Sequence, residues 1–240
     1  AAVSRGLYVA GYFSYEAGYA FEETFAAPKV FDFPLIYLGC YKQPVTFPKV
    51  KVREFGVSEL EFNISREGYD QNIAKLHEYL AKGDIYQATY CLKILFQFQG
   101  DPFGLYRHLY AQQPVPYPAY IQTPERTILS LSPEMFLKKI RNRIVTKPMK
   151  GTWMRGRNII DDFLTKRTFQ RDEKNQAENL MITDLLRNDL GRIGRKVHVP
   201  KLFEITPYKT LFQMTSTVAA EVDQNIPFYE LFKALFPSGS

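Results

Sequence analysis

The stretch from Ser130 to Thr152 leaves this chain few architectural choices. Strand-like runs lie on both sides of Arg141-Asn142-Arg143, and a connection that short turns a strand back beside its neighbour. Antiparallel pairing is therefore built in. Further β-like segments at 119–122 and 127–132 alternate with helical ones without a regular βαβ rhythm. This favours an α+β fold of antiparallel sheets flanked by helices over an alternating parallel one.

The helical segments carry their own boundary signals. Ser65 is a good N-cap, Tyr69, Ile73, Leu76 and Leu80 fall on one stripe, and Gly83 stops the run, which predicts a helix over 66–82. A long β-rich run follows at 85–98. Asp101-Pro102 opens a short helix over 103–112. A strongly helical segment extends from Asp172 to about Asp189, with Gly191 and Gly194 as breakers. Short strands or turns are expected near 197–199 and 213–222, and a last helix over 228–236. The first 50 residues read as strands at 7–15 and 35–38 joined by a proline-containing connection.

Composition narrows the function classes. No apolar run approaches the roughly twenty residues of a membrane helix. Ala1 to Ala20 lack the apolar block of a signal peptide. Cys40 and Cys91 are far apart without metal-ligand spacing, and two buried thiols in a reduced, cytoplasmic protein are expected. Three isolated histidines suggest no zinc site. The net charge of +6 is spread out, and its densest cluster, Lys138 to Arg143, reads as a solvated hairpin tip, so no nucleic-acid partner is expected. A mild positive field favours a small polyanionic substrate.

Two segments carry chemistry. Lys150, before Gly151, ends a strand-like stretch where a lysine is poor packing material. As a nucleophile it would need its amine deprotonated, by burial or by neighbouring charge such as Lys147 or Arg155. The competing reading is an ordinary surface lysine. A three-residue hairpin loop centred on Asn142 would set Glu134 directly opposite Lys150, an acid/base beside an amine. A two-residue loop would shift the register by one and put them on opposite faces. In the 172–189 helix, Glu178 projects with Met181, Ile182 and Leu185 at 100° per residue. A carboxylate amid apolar residues asks for a partner: Mg²⁺, given hard oxygen ligands without histidine, or a buried pair with Arg187 or Arg192. The C-terminal Pro237-Ser238-Gly239-Ser240 could form an anion-cradling turn.

In order along the chain stand Gly83-Asp84-Ile85-Tyr86-Gln87, Ser132-Pro133-Glu134-Met135-Phe136, Pro148-Met149-Lys150-Gly151-Thr152, Ala177-Glu178-Asn179-Leu180-Met181, Asp184 to Gly191, Val199-Pro200 and Phe236 to Ser240. Together they resemble the chorismate-utilising enzymes. The resemblance implies two packed, largely antiparallel β-sheets flanked by helices. It implies that residues 1–240 are part of a single chorismate-binding domain, with 1–60 an N-terminal strand and loop portion and 61–240 the core. That domain is expected to be incomplete here, because the family continues past Ser240 to a second Mg²⁺-binding glutamate and is expected to begin earlier too. Lysine at position 150 points to the aminodeoxychorismate branch, which serves p-aminobenzoate and folate synthesis; the anthranilate branch carries alanine there. Gly11-Tyr12-Phe13-Ser14-Tyr15-Glu16 is similar to the N-terminal part of the former branch. By the same resemblance Lys150 would be the nucleophile, Glu134 the general acid, and Glu178 a Mg²⁺ ligand. Gly151, Thr152, Gly239 and Ser240 would bind substrate. Ammonia would come from a glutamine amidotransferase partner. Met149 stands where isoleucine is commoner, and Gln113 to Tyr117 only partly match a tryptophan-lining loop, so tryptophan control is not expected. The rival of another class is a non-catalytic binding module using the Lys138–Arg143 cluster.

Overall fold

A computed structural model describes residues 2–22, 24, 30–46, 51, 53–237 and 239. In chain order the elements are β1 (Tyr8–Phe13), β2 (Ile36–Tyr41), β3 (Phe55–Phe62), α1 (Arg66–Lys82), β4 (Ile94–Gly100), α2 (Pro102–Gln112), β5 (Tyr117–Gln122) and β6 (Thr127–Ser132). They continue with β7 (Met135–Ile140), β8 (Arg143–Lys147), β9 (Met149–Met154), α3 (Ile159–Gln170), α4 (Glu173–Ile193), β10 (Gly194–Pro207), β11 (Leu211–Val222) and α5 (Phe228–Leu235). The seven strand pairings among the described residues are all antiparallel, in keeping with an α+β fold. No helix among the described residues is long and apolar enough to cross a membrane.

The chain divides into two compact units, Ala1–Val50 with Leu109–Ser240, and Lys51–His108. In the smaller unit β3 pairs with β4, and α1 has the predicted bounds. Ser65 Oγ accepts from the Gly68 amide at 3.1 Å, and Gly83 takes the left-handed C-cap conformation at φ 77°. The β-run predicted for 85–98 forms a strand only from Ile94. Its partner explains the loss: the ladder with β3 ends at the Phe62↔Ile94 pair, and beyond it Asn63 holds Lys93 by two hydrogen bonds, leaving nothing for 85–92 to pair with.

The larger unit is organised on a five-stranded sheet. β11 is its spine, flanked by β10 on one side and by β8 and then β9 on the other, with β7 outermost. Residues 212, 214, 218, 220 and 222 of β11 are buried; Phe212 and Met214 pack with Phe169 of α3, while Val218, Ala220 and Val222 pack with Ile182, Leu186 and Leu190 of α4 and with α5. Burying side chains of this size contributes about 1.5–3 kcal/mol each for the larger ones.

Several expectations change here. β10 and β11 are long strands of 14 and 12 residues rather than short ones, because β10 absorbs three register shifts without leaving the sheet. Gly191 does not break α4, which runs on to Ile193. Helix α3 was not expected at all. Both cysteines are exposed, not buried, and free. The hairpin turn is Arg141-Asn142, with Arg141 at φ 51°, so Ile140 pairs with Arg143 and the three-residue register is not adopted. A further shift between Met135 and Lys138 sets Met135 opposite Lys147.

Candidate functional site

Glu134 and Lys150 therefore do not face each other as a cross-strand pair. Glu134 nevertheless reaches the start of β9 by a different route. Pro148, fully buried, separates β8, which pairs with both β7 and β11, from β9, which pairs with β11 alone. Glu134 Oε1 accepts a hydrogen bond from the Met149 amide at 3.2 Å, which sets this carboxylate beside the residue preceding Lys150. The Pro133–Glu134 peptide that presents this side chain is held on both sides. Ser132 Oγ accepts from the Glu134 amide at 3.2 Å, and the Tyr208 hydroxyl donates to the Pro133 carbonyl at 3.4 Å. Burial raises the Tyr208 phenol above its ordinary range, so it stays a donor.

Lys150 stands in a bulge. In β9, Thr152 pairs with Gln213 and Met149 with Thr215, so two residues, Lys150 and Gly151, stand opposite the single residue Met214. Met214 is buried on the face that carries α3 and α4. Gly151 sits at φ 91°, and a Cβ there would lie 2.6 Å from Asn175 Oδ1 of α4. The bulge thus turns this stretch toward α4 and demands glycine. Lys150 itself is half-buried. The cations offered by the sequence as its neighbours are both compensated. Lys147 lies 3.7 Å from Glu204, and Arg155 makes a two-nitrogen clasp on Asp162, so neither is an unbalanced positive charge beside the amine.

Glu178 lies one turn beyond Asn175 on α4. It is half-exposed and does not sit in the centre of the apolar face. The buried stripe of α4 is Asn179, Ile182, Thr183, Leu186 and Leu190, one position round from the expected one, and Met181 is exposed. Nor is Glu178 paired with the expected arginines: Arg187 binds Asp184 at 2.8 Å, and Arg192 lies 4.0 Å from Asp189. Along the same flank, a Cβ on Gly239 would meet Leu185 Cδ2 at 2.2 Å, so the C-terminal glycine packs on α4 two turns from Glu178. Thr152 donates its hydroxyl to Gln213 across the ladder at 3.2 Å. Ser240 lies outside the described residues.

A cavity of about 400 Å³ opens on Glu134, walled by Phe13, Tyr15, Phe136, Phe232 and Phe236 with Ser132 beside the carboxylate. Its size suits a small organic molecule. Lys150, Gly151, Thr152 and Glu178 are not among its lining residues. No group of three or more His, Cys, Asp or Glu side chains that could hold a metal occurs among the described residues. As a donor set, Glu178 offers a single hard oxygen ligand, which fits Mg²⁺ only where substrate oxygens, water or further ligands complete the sphere.

Known proteins give this arrangement its context. The family described as chorismate binding enzyme matches residues 2–240. This chain belongs to the chorismate-binding enzymes. It is 36% identical over 180 residues to aminodeoxychorismate synthase component 1 of Klebsiella aerogenes, covering 74% of this chain and 40% of that protein. It is 32% identical over 193 residues to the chloroplastic anthranilate synthase alpha subunit 1 of Arabidopsis thaliana, covering 80% of this chain and 32% of the relative. Among solved structures, anthranilate synthase component I from Streptococcus pneumoniae TIGR4 superposes with a TM-score of 0.67 at 25% identity, over 76% of this chain and 41% of that one. The chain thus spans about two fifths of the length of the aminodeoxychorismate synthase it matches. Within this chorismate-binding chain, sequence reasoning missed the polar cluster under the bulge: Asn179, Thr183, Thr215 and Ser216, all buried. Its signal was present as Thr215-Ser216 between the apolar Met214 and Val218, and as Asn179 at helical spacing from Ile182, Leu186 and Leu190.

Proposed function

We propose that this chain is the chorismate-binding part of an enzyme that aminates chorismate, of the aminodeoxychorismate synthase kind, with Lys150 as its nucleophile. The observation that supports this most directly is the bulge at Lys150-Gly151, which seats this half-buried stretch against Asn175 of α4 while Glu134 is hydrogen-bonded to the adjoining Met149 amide. In this reading the Lys150 amine attacks ring carbon 2, the double bond shifts, and the hydroxyl at carbon 4 departs as water with a proton from Glu134. Ammonia then adds at carbon 4 and expels the lysine, so one ammonia is gained and one water lost. Gly151, Thr152, Gly239 and Ser240 would contact the substrate. Glu178 would hold Mg²⁺, which when bound neutralises a substrate carboxylate. The ammonia would come from a glutamine amidotransferase subunit, in keeping with the words "component 1" in the name of the Klebsiella relative. A cytoplasmic setting and a place in p-aminobenzoate and folate synthesis go with this reading.

The test is product analysis with the intact protein, chorismate, Mg²⁺ and ammonium salt. Aminodeoxychorismate is expected. Lys150→Ala should remove any covalent adduct seen by mass spectrometry and lower amination by at least about 100-fold. Anthranilate as the product would overturn the branch assignment, and full turnover by Lys150→Ala would overturn the role of the lysine. The anthranilate reading is kept as the second one, because an anthranilate synthase subunit is 32% identical over a comparable span.

A further inference from the structure

We infer that Asn179 is a positioning residue for Lys150, acting through β11; this rests on the reading of Lys150 as nucleophile. Asn179 is wholly buried, and its carboxamide is used on both ends. Nδ2 donates to the Met214 carbonyl at 3.1 Å, and Oδ1 accepts from the Ser216 hydroxyl. Met214 is the residue opposite the Lys150-Gly151 bulge. Ser216 is bonded to the other strand, its amide donating to the Pro148 carbonyl at 3.1 Å. One carboxamide therefore grips β11 opposite the extra residue of β9 and again two residues further on, where β11 is bonded to Pro148.

The grip extends to β10. Ser216 Oγ also accepts from the Phe203 amide at 3.2 Å, and Phe203 is held at φ 55°, a conformation bulky side chains rarely adopt. Three strands are thus referenced to one side chain of α4. Its chain neighbour is Glu178, so the helix that would carry the metal ligand also fixes the backbone that carries the amine. Asparagine suits this because it presents a donor and an acceptor side by side; an ionised aspartate has no donor for Met214, and leucine has neither. Misplacing a reacting group by about 1 Å can cost on the order of 100-fold in rate, so the bulge needs such a reference.

The experiment compares Asn179→Asp, Ser216→Ala and Thr183→Val with the parent in steady-state amination by the intact protein. Each is assayed below the temperature at which circular dichroism reports unfolding. Thr183 donates to the Asn179 backbone carbonyl at 2.7 Å, makes only a long contact with Asn179 Oδ1 at 3.4 Å, and has no hydrogen bond to Met214 or Ser216, so Thr183→Val, which leaves the Asn179 bonds to both in place, controls for lost packing and stability. Asn179→Asp is expected to lower kcat by about 10- to 100-fold with KM for chorismate within about threefold. Ser216→Ala should lower kcat less, and Thr183→Val should keep it within about threefold. If Asn179→Asp does not fold, Ser216→Ala against Thr183→Val decides the question. Unchanged kcat in the folded Asn179 and Ser216 variants, or an equal drop in Thr183→Val, overturns the positioning role. Unchanged turnover in Lys150→Ala overturns the underlying reading, and the positioning role with it.

Discussion

Gly151→Ala is the most exacting probe of how the Lys150 strand is seated. Two costs can be worked separately. At φ 91° an alanine is in left-handed backbone territory, which costs about 1–2 kcal/mol. The new methyl would also lie 2.6 Å from Asn175 Oδ1 and 3.0 Å from its Cγ, so the Asn175 side chain has to move. That side chain is not free to swing, since its Nδ2 donates to Asp172 Oδ1 at 2.7 Å, next to the helix-capping bond from the Asn175 amide. Giving up the side-chain bond costs about 1 kcal/mol. The total is about 2–3 kcal/mol, or a fall in Tm of about 4–12 °C for a protein of this size. Thermal unfolding followed by circular dichroism measures it, and Asn175→Ala supplies the second axis of a double-mutant cycle. In that background the backbone strain and the tight approach to the Cβ of residue 175 remain but no side-chain hydrogen bond is lost, giving a coupling of about 1 kcal/mol. A Tm within about 1 °C of the parent, or an identical loss in both backgrounds, would refute the claim that the bulge is seated against α4.

Two further expectations concern charge. The Arg155 guanidinium, hydrogen-bonded to Asp162, holds that carboxyl below the usual aspartate range, with the Gly156 amide assisting at 2.9 Å. A depressed folded pKa contributes stability that is present above the unfolded value, near 4, and is lost as the pH falls through the folded one. Asp162→Asn should therefore flatten the acid-side decline of Tm below about pH 4; an unaltered slope counts against the pair. Asp189 is the opposite case: burial pushes its carboxyl up, and the Arg192 charge only partly opposes this. The folded state then holds the proton more tightly, so the penalty is absent below the ordinary aspartate value and complete above the raised one. Asp189 also sits near the C-terminal end of α4, where negative charge is unfavourable. Asp189→Asn should raise Tm by about 1–3 °C at pH 7 and by less at pH 3, and a destabilised variant at pH 7 would contradict this.

Where local chemistry decides, the sequence was readable. Ser65 and Gly83 bound α1 as written, because a side-chain cap and a left-handed glycine act within a few residues. The α+β class followed from a short hairpin turn. What escaped was set by contacts between distant segments. The strand at 85–98 depended on the length of β3, which nothing between 85 and 98 encodes. Helix α3 carries no periodic buried stripe: Phe169 is its one buried residue, while Ile159, Ile160, Phe163 and Leu164 are exposed. The register of Glu134 and Lys150 turned on two shifts, one in β7 and one in β9, and each shift moves side chains between faces.

The same displacement changes the argument for the metal. Placed in the middle of an apolar stripe, Glu178 would have demanded a cation to offset its desolvation. In the fold it is Asn179, not Glu178, that occupies the buried position, and its carboxamide is satisfied by Met214 and Ser216. Glu178 stands one residue round, half-exposed, in reach of water. The case for Mg²⁺ therefore cannot rest on burial. It rests on the flank that Glu178 shares with Asn175 and Leu185, the two α4 residues against which Gly151 and Gly239 are packed. A carboxylate left unpaired by Arg187 and Arg192 between two such glycine contacts is available to a bound ligand without any stability being lost when none is there.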